Sequence, residues 1–178
     1  MATYYLRAMK ILMVCLGNIC RSPLAEGILK DKIKKAGLGW EVDSAGTSHY
    51  QTGVAPHNLS QKVARLKGID ICDHCCRQFT KEDMLKFDRI YVMDKENYSE
   101  VKRISKELWD KNKVEMLMNE IYPNENREVP DPWYGGEEDY HKVYKMIDEA
   151  CEKIVEEAPA VKGEGREKPG LKGRREIF

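Results

Sequence analysis

The chain is 178 residues long, 42% hydrophobic and 34% charged, with Lys+Arg and Asp+Glu equal at 30 each. That length and composition suit one globular domain with a sizeable core. The balanced charge gives no field for nucleic acid or an acidic membrane, and no apolar run reaches bilayer length, so neither nucleic-acid binding nor membrane insertion is expected. The N-terminal MATYYLRAMKILMVC mixes basic and apolar residues but lacks the long apolar centre and small-residue cleavage site of a signal peptide. It reads as a short extension, residues 1–8, ahead of the first core strand, with Met9 as an alternative start. The six cysteines could form a disulfide framework, but a chain of this size does not need one. A reducing, cytoplasmic setting is therefore expected, with export lacking a signal peptide left open.

Residues 10–15 (KILMVC) are apolar on both faces, as a buried parallel strand should be. Pro23 suits a first helical turn with Ser22 as candidate N-cap, and Leu24, Ile28, Leu29 and Ile33 keep helical spacing until Gly37. Residues 40–45 alternate like a second strand. Pro56 opens a helix that Gly68 closes, and Thr80 to Asp83 has a capping-box layout for a short helix through Leu85. Residues 89–93 form a third strand, and Asp94 caps a helix from Lys95 to about Leu108. A fourth strand covers 114–118, and a loop rich in Pro, Asn and Gly spans 122–136. The last helix holds Tyr140, Val143, Tyr144, Ile147, Ala150, Cys151, Ile154 and Val155 on one face. This alternation predicts an α/β fold: a single doubly wound domain over 9–158, with a four-stranded parallel sheet flanked by helices. Beyond it, 159–178 is basic and contains Gly and Pro, the composition of a flexible tail.

Chemistry concentrates where strand, tight loop and helix start follow one another across 10–26. A helix N-terminus offers unpaired N–H groups and the positive end of its dipole, so the loop after strand 1 suits a phosphate. Such a cradle favours a thiolate, which makes Cys15 the candidate nucleophile. Arg21 adds a planar, permanently charged fork for two phosphate oxygens. Gly17 and Asn18 tolerate the positive φ of a tight anion nest, and Ser22 can donate to the sulfur. Cleaving an aryl phosphate through cysteine also needs a group that protonates the leaving oxygen and later activates water. Asp131, in V-P-D-P-W-Y-G-G, is the best candidate, with prolines restricting its backbone and Trp133 and Tyr134 supplying aromatic surface. DPWYGG alone reads as a turn; paired with the cysteine loop in this chain order, it reads as catalytic.

The run C-L-G-N-I-C-R-S-P, 15–23, resembles the signature of the low molecular weight protein tyrosine phosphatases, which carry a C-x5-R-[ST] loop at the N-terminus. Further matches extend over most of 10–157. The resemblance implies phosphotyrosine hydrolysis through a phosphocysteine: Cys15 attacks, and Asp131 acts as acid and then base. Phosphate would be bound by Arg21 and by the loop of Leu16, Gly17, Asn18, Ile19, Cys20 and Ser22. It further implies that Ser44, in V-D-S-A-G-T-S, braces Asn18, as does His74, here with one extra residue between Gly68 and His74. Leu16, Tyr50, Trp133 and Tyr134 would wall the phosphotyrosine ring, in a slot too deep for phosphoserine or phosphothreonine. Cys20 would form a reversible disulfide with Cys15 that protects it from overoxidation. The implied partners are phosphotyrosine proteins, with no metal or other cofactor, and a monomer is expected.

Other readings stay open at this stage. A thiol-dependent arsenate reductase shares the fold and loop and needs a cysteine relay, and Cys72, Cys75 and Cys76 stand together in C-D-H-C-C. It has no need of a D-P-aromatic acid. A zinc site is approximated by Cys15-x4-Cys20 with Cys72-x2-Cys75, but leaves Arg21 and Ser22 unexplained. A non-catalytic phosphoprotein-binding module could dispense with Cys15 or Asp131, and both are present. No Gly-Lys-[Ser/Thr] follows Gly17, so the Walker nucleotide loop is absent.

Overall fold

The structure, a computed structural model, describes residues 8–158. The expected tail at 159–178 and all but the last residue of the expected extension lie outside the described residues. Strand β1 (Lys10–Cys15) is buried from Ile11 onward because it has a neighbour on each side. It pairs in parallel with β2 (Glu41–Gly46) and β3 (Arg89–Val92), and β4 (Val114–Met116) adds to β3, giving the order β2-β1-β3-β4. Side chains alternate across the sheet and split the core in two. Ile11 and Met13 pack with residues of α1 (Arg21–Ala36), α2 (Asn58–Arg65) and α5 (Glu137–Glu156), among them Leu24, Val63 and Ile147. Leu12 and Val14 pack with Phe79, with Met84 of α3 (Asp83–Lys86) and with Val101 of α4 (Lys95–Ser105). The fold is thus the expected single α/β domain with a four-stranded parallel sheet.

Strand order reverses beside β1, since the chain goes first to β2 on one side and later to β3 on the other. The crevice beyond the carboxyl end of β1 is the place where such sheets bind ligands.

Some boundaries differ from the sequence expectation. Helix α1 starts at Arg21 with Cys20 as N-cap, and no side-chain cap bond is made. Ser22 is therefore not the cap; it sits inside the first turn with its hydroxyl free for other partners. Helix α2 starts after Pro56, because His57 Nδ1 accepts from Leu59 N at 3.2 Å. Helix α4 ends at Ser105, where Lys106 turns to φ +49, and a short 3-10 turn replaces its last residues. Strand β4 stops at Met116, before a 3-10 turn over Leu117–Glu120. Asp94 does cap α4, its Oδ1 accepting from Asn97 N at 2.7 Å.

Candidate active site

The loop from Cys15 to Arg21 closes against three neighbouring segments that take its carbonyl groups. Thr47 N donates to Cys15 O at 2.9 Å, Ser48 N to Leu16 O at 2.8 Å, and His57 N to Ile19 O at 2.7 Å. Ser60 Oγ donates to Cys20 O at 3.2 Å, and the Cys76 thiol donates to Asn18 O. In a planar trans peptide the N–H points opposite to the C=O. Carbonyls tied outward therefore turn the loop's amide edge inward, the arrangement an anion nest requires. Gly46 makes the close approach possible: a Cβ there would lie 2.8 Å from Leu16 O and 2.9 Å from Asn18 N.

Asn18 is the keystone of the loop, at φ +57 and fully buried. Its Nδ2 donates to Ser22 Oγ and Ser44 Oγ, each at 2.9 Å. Its Oδ1 accepts from Arg77 N at 2.9 Å and lies 3.0 Å from His74 Nε2. An amide oxygen only accepts, so Nε2 is the donor in that contact. Behind them stands Glu26, whose Oε2 accepts from Ser44 Oγ at 2.6 Å and lies 3.2 Å from His74 Nδ1. Lys30 reaches its other oxygen. Burial raises the pKa of Glu26, but hydrogen bonds from His74, Lys30 and Ser44 outweigh it and bring the carboxyl down to about 2.

Cys15 Sγ lies 3.1 Å from Ser22 Oγ and accepts from Asn18 N at 3.3 Å. Ser22 Oγ also lies 3.3 Å from Ala45 O. The hydroxyl has a single proton, so it can leave Ala45 O for the sulfur when a thiolate forms.

Arg21 is only 2% exposed. Its Nη1 donates to Asp94 Oδ2 at 2.6 Å and to Val129 O at 3.0 Å, and Nη2 donates to Asp131 Oδ2 at 3.0 Å. Burial works against its charge, but Cys15, Asp131 and Asp94 outweigh it and push the pKa up. Asp131 is held from its other side too, as Oδ1 accepts from Trp133 N at 3.1 Å. Cys20 Sγ lies 3.4 Å from Tyr140 Oη, and burial is the main cause that lifts its thiol to about 11. It is therefore a neutral thiol at ordinary pH.

The cavity over this loop is lined by Cys15, Leu16, Gly17, Ile19, Cys20 and Arg21 below. Asp131, Trp133 and Tyr134 line one side, and Tyr50, Ser48 and Gln51 the other. Tyr134 and Tyr50 are 98% and 83% exposed at its rim. Asn18, Ser22, Ser44 and His74 are not in the lining; they support the loop from behind. Cys76 is buried beside Asn18, whereas Cys72 and Cys75 are exposed and outside this cavity. The four cysteines of the zinc spacing do not converge, and among the described residues no group of three or more His, Cys, Asp or Glu could hold a metal ion. No helix among the described residues is long and apolar enough to cross a membrane.

Several supporting residues were not legible in sequence. Asp94 reads in sequence only as a helix cap, although its place at the end of β3 is where ligands of such sheets bind. Glu26 is an acid within a helical apolar pattern, a weak signal of a buried charge. His57 stacks on Tyr140 with ring centroids 5.2 Å apart and meets the edge of Trp133 at 5.4 Å, a three-ring contact from three separate segments.

Residues 10–164 match the family model described as low molecular weight phosphotyrosine protein phosphatase. A putative low molecular weight protein-tyrosine-phosphatase of Synechocystis sp. is 39% identical over 149 residues, covering 83% of this chain and 94% of the relative. The Homo sapiens low molecular weight phosphotyrosine protein phosphatase is 37% identical over 151 residues, covering 83% and 94%. The crystal structure of YfkJ from Bacillus subtilis superposes with a TM-score of 0.78 at 33% identity, covering 85% of this chain and 95% of that one. Vibrio vulnificus Wzb in complex with benzylphosphonate gives a TM-score of 0.75 at 28% identity, covering 84% and 98%.

Proposed function

The chain belongs to the low molecular weight phosphotyrosine protein phosphatase family and is a cysteine-dependent protein-tyrosine phosphatase, and on that premise we propose that Cys15, Arg21 and Asp131 carry its reaction. The observation behind this assignment is that the three side chains line one cavity although Asp131 stands 110 residues from Arg21. Cys15 Sγ attacks phosphorus in line while the loop amides and Arg21 bind the equatorial oxygens, where the transition-state charge spreads. A bound phosphate takes Arg21 Nη2 from Asp131. Asp94 Oδ2 and Val129 O keep Nη1 fixed meanwhile, so the fork is oriented before substrate arrives.

Asp131, freed from Arg21, protonates the departing tyrosine oxygen and then takes a proton from the water that opens the phosphocysteine. Ser22 Oγ, 3.1 Å from Cys15 Sγ, donates to the thiolate and eases its departure in the second step. The side chains of Asn18, Ser44 and His74 hold the loop in shape and do not touch substrate. Leu16, Tyr50, Trp133 and Tyr134 offer apolar surface for an aryl ring, and Leu16 and Trp133 are each 43% exposed. The benzylphosphonate in the Wzb complex is a ligand of that shape, a phosphonate on a benzyl group. The substrate is a phosphotyrosyl side chain of a protein. Residues 9–158 form the catalytic unit, a monomer acting in a reducing compartment, and Cys20 guards Cys15 against overoxidation.

The test measures hydrolysis of phosphotyrosine and phosphoserine and thiol-dependent reduction of arsenate side by side, with Cys15→Ser and Asp131→Ala included. Cys15→Ser is expected to lose turnover with its fold intact. Asp131→Ala is expected to lose about 10²- to 10⁴-fold on phenyl phosphate, the usual span of general acid catalysis, and far less on a dinitrophenyl ester that leaves unprotonated. Equal losses on both esters would remove Asp131 from the acid role. Thiol-dependent arsenate turnover that needs Cys72, Cys75 and Cys76 would replace the whole assignment.

A further inference from the structure

The cysteine cluster at 72–76 has no place in the reaction, yet it lies on the strut that holds the phosphate loop. Of the groups fixing Asn18, three come from one short segment: His74 Nε2 and Arg77 N on its side-chain oxygen, and the Cys76 thiol on its backbone oxygen. Cys72 and Cys75 bracket His74, and both are exposed free thiols. A turn from Ile71 to His74 carries Cys72, with His74 N donating to Ile71 O at 3.2 Å and Cys72 N to Asp70 Oδ1 at 2.9 Å, and Cys75 follows directly after it.

We propose that Cys72 and Cys75 form a reversible regulatory disulfide that acts on the phosphate loop through His74. This rests on reading residues 15–22 as the phosphate cradle. Residues three apart in an extended chain stand about 10 Å apart between Cα atoms, whereas a disulfide needs them within about 7 Å. Closing the bond therefore moves the turn, and the residue it moves is His74. Loss of the His74 contacts to Asn18 Oδ1 and Glu26 loosens a residue whose left-handed backbone depends on being over-determined.

Access favours a separate control point. Cys75 and His74 line an open groove behind the loop with Asp43, Asp70, Asp73 and Lys30, on residues that the substrate cavity does not use. The carboxylates there disfavour an anionic oxidant, so the co-reactant is an uncharged disulfide. Cys75 thiolate attacks one of its sulfurs and expels one thiolate, leaving a mixed disulfide. Cys72, deprotonated by solvent, then attacks Cys75 Sγ and expels the second. Two protein thiols are oxidised by two electrons, their protons pass to solvent, and the small disulfide is reduced to two thiols.

The experiment incubates the full chain with bis(2-hydroxyethyl) disulfide while saturating inorganic phosphate fills the cradle. After both are removed, p-nitrophenyl phosphate turnover, phosphate affinity and the disulfide map are measured. Wild type is expected to show a Cys72–Cys75 link with Cys15 still free. Turnover and phosphate affinity should each fall about fivefold or more, the lower end of coupling between sites, and a thiol should restore both. The Cys72→Ser/Cys75→Ser double variant is expected to match reduced wild type before and after treatment. Three results overturn the proposal: no such link, a link with unchanged turnover and affinity, or equal loss in the double variant. Absent turnover in untreated wild type would sink the phosphatase assignment instead, and the map and phosphate affinity would still report on the switch.

Discussion

Asp94 offers the sharpest test of how the site is preorganised, because its two oxygens do different work. Oδ1 caps α4 through Asn97 N at 2.7 Å, and Oδ2 fixes Arg21 Nη1 at 2.6 Å. Asp94→Asn can keep the first contact while presenting its amide nitrogen to the guanidinium, donor against donor. Asp94→Ala loses both. A hydrogen bond between charged groups contributes about 1.5–3 kcal/mol. If that orientation serves the transition state, both variants should lose roughly 10- to 150-fold in kcat/KM, at about 1.36 kcal/mol per decade. The cap adds about 1 kcal/mol that only the alanine variant forfeits. Its Tm should therefore sit about 2–4 °C below that of the asparagine variant, the shift expected per kcal/mol for a domain of this size. The assays are steady-state hydrolysis of an aryl phosphate and thermal unfolding monitored by circular dichroism. Wild-type kcat/KM in Asp94→Asn would refute the reasoning, since Val129 O would then suffice to orient Arg21.

Gly46→Ala should cost about 1–3 kcal/mol and lower turnover, because the added methyl meets backbone atoms of residues 16–18 that cannot move without reshaping the cradle; a Tm and kcat equal to wild type would show that the loop tolerates the shift. Glu26 has a depressed pKa, so its ionised form stabilises the fold above the ordinary value of 4.5, and that contribution is lost as pH falls from there towards about 2. Glu26→Gln should be less stable at neutral pH and show a flatter dependence of Tm on pH across that interval; parallel profiles would exclude Glu26 as the source. Peroxide inactivation should be reversed by thiol in wild type but not in Cys20→Ser, measured as recovered aryl phosphatase activity; full recovery in the variant would assign protection of Cys15 elsewhere.

Local chemistry dictated much of this protein in the sequence itself. A doubly apolar strand, a Gly-Asn loop and a proline-marked helix start sit within seventeen consecutive residues, 10–26, so their order alone points to an anion-binding loop with a cysteine in it. Helical and strand periodicities likewise set the element order, because they depend on neighbours along the chain. Boundaries slipped where a single side chain decided them, as when His57 moved the start of α2, and where none did, as at α1, which starts after Cys20 with no side-chain cap bond. Tertiary structure alone decided what holds the cradle in shape. Asp94, Glu26, Arg77 and Cys76 reach the loop residues 18–21 across 8 to 73 positions of sequence, directly or, for Glu26, through Ser44 and His74. No periodicity records such contacts, for a hydrogen bond between distant segments depends on how the sheet is ordered and on which carbonyls the neighbouring strands leave to be taken.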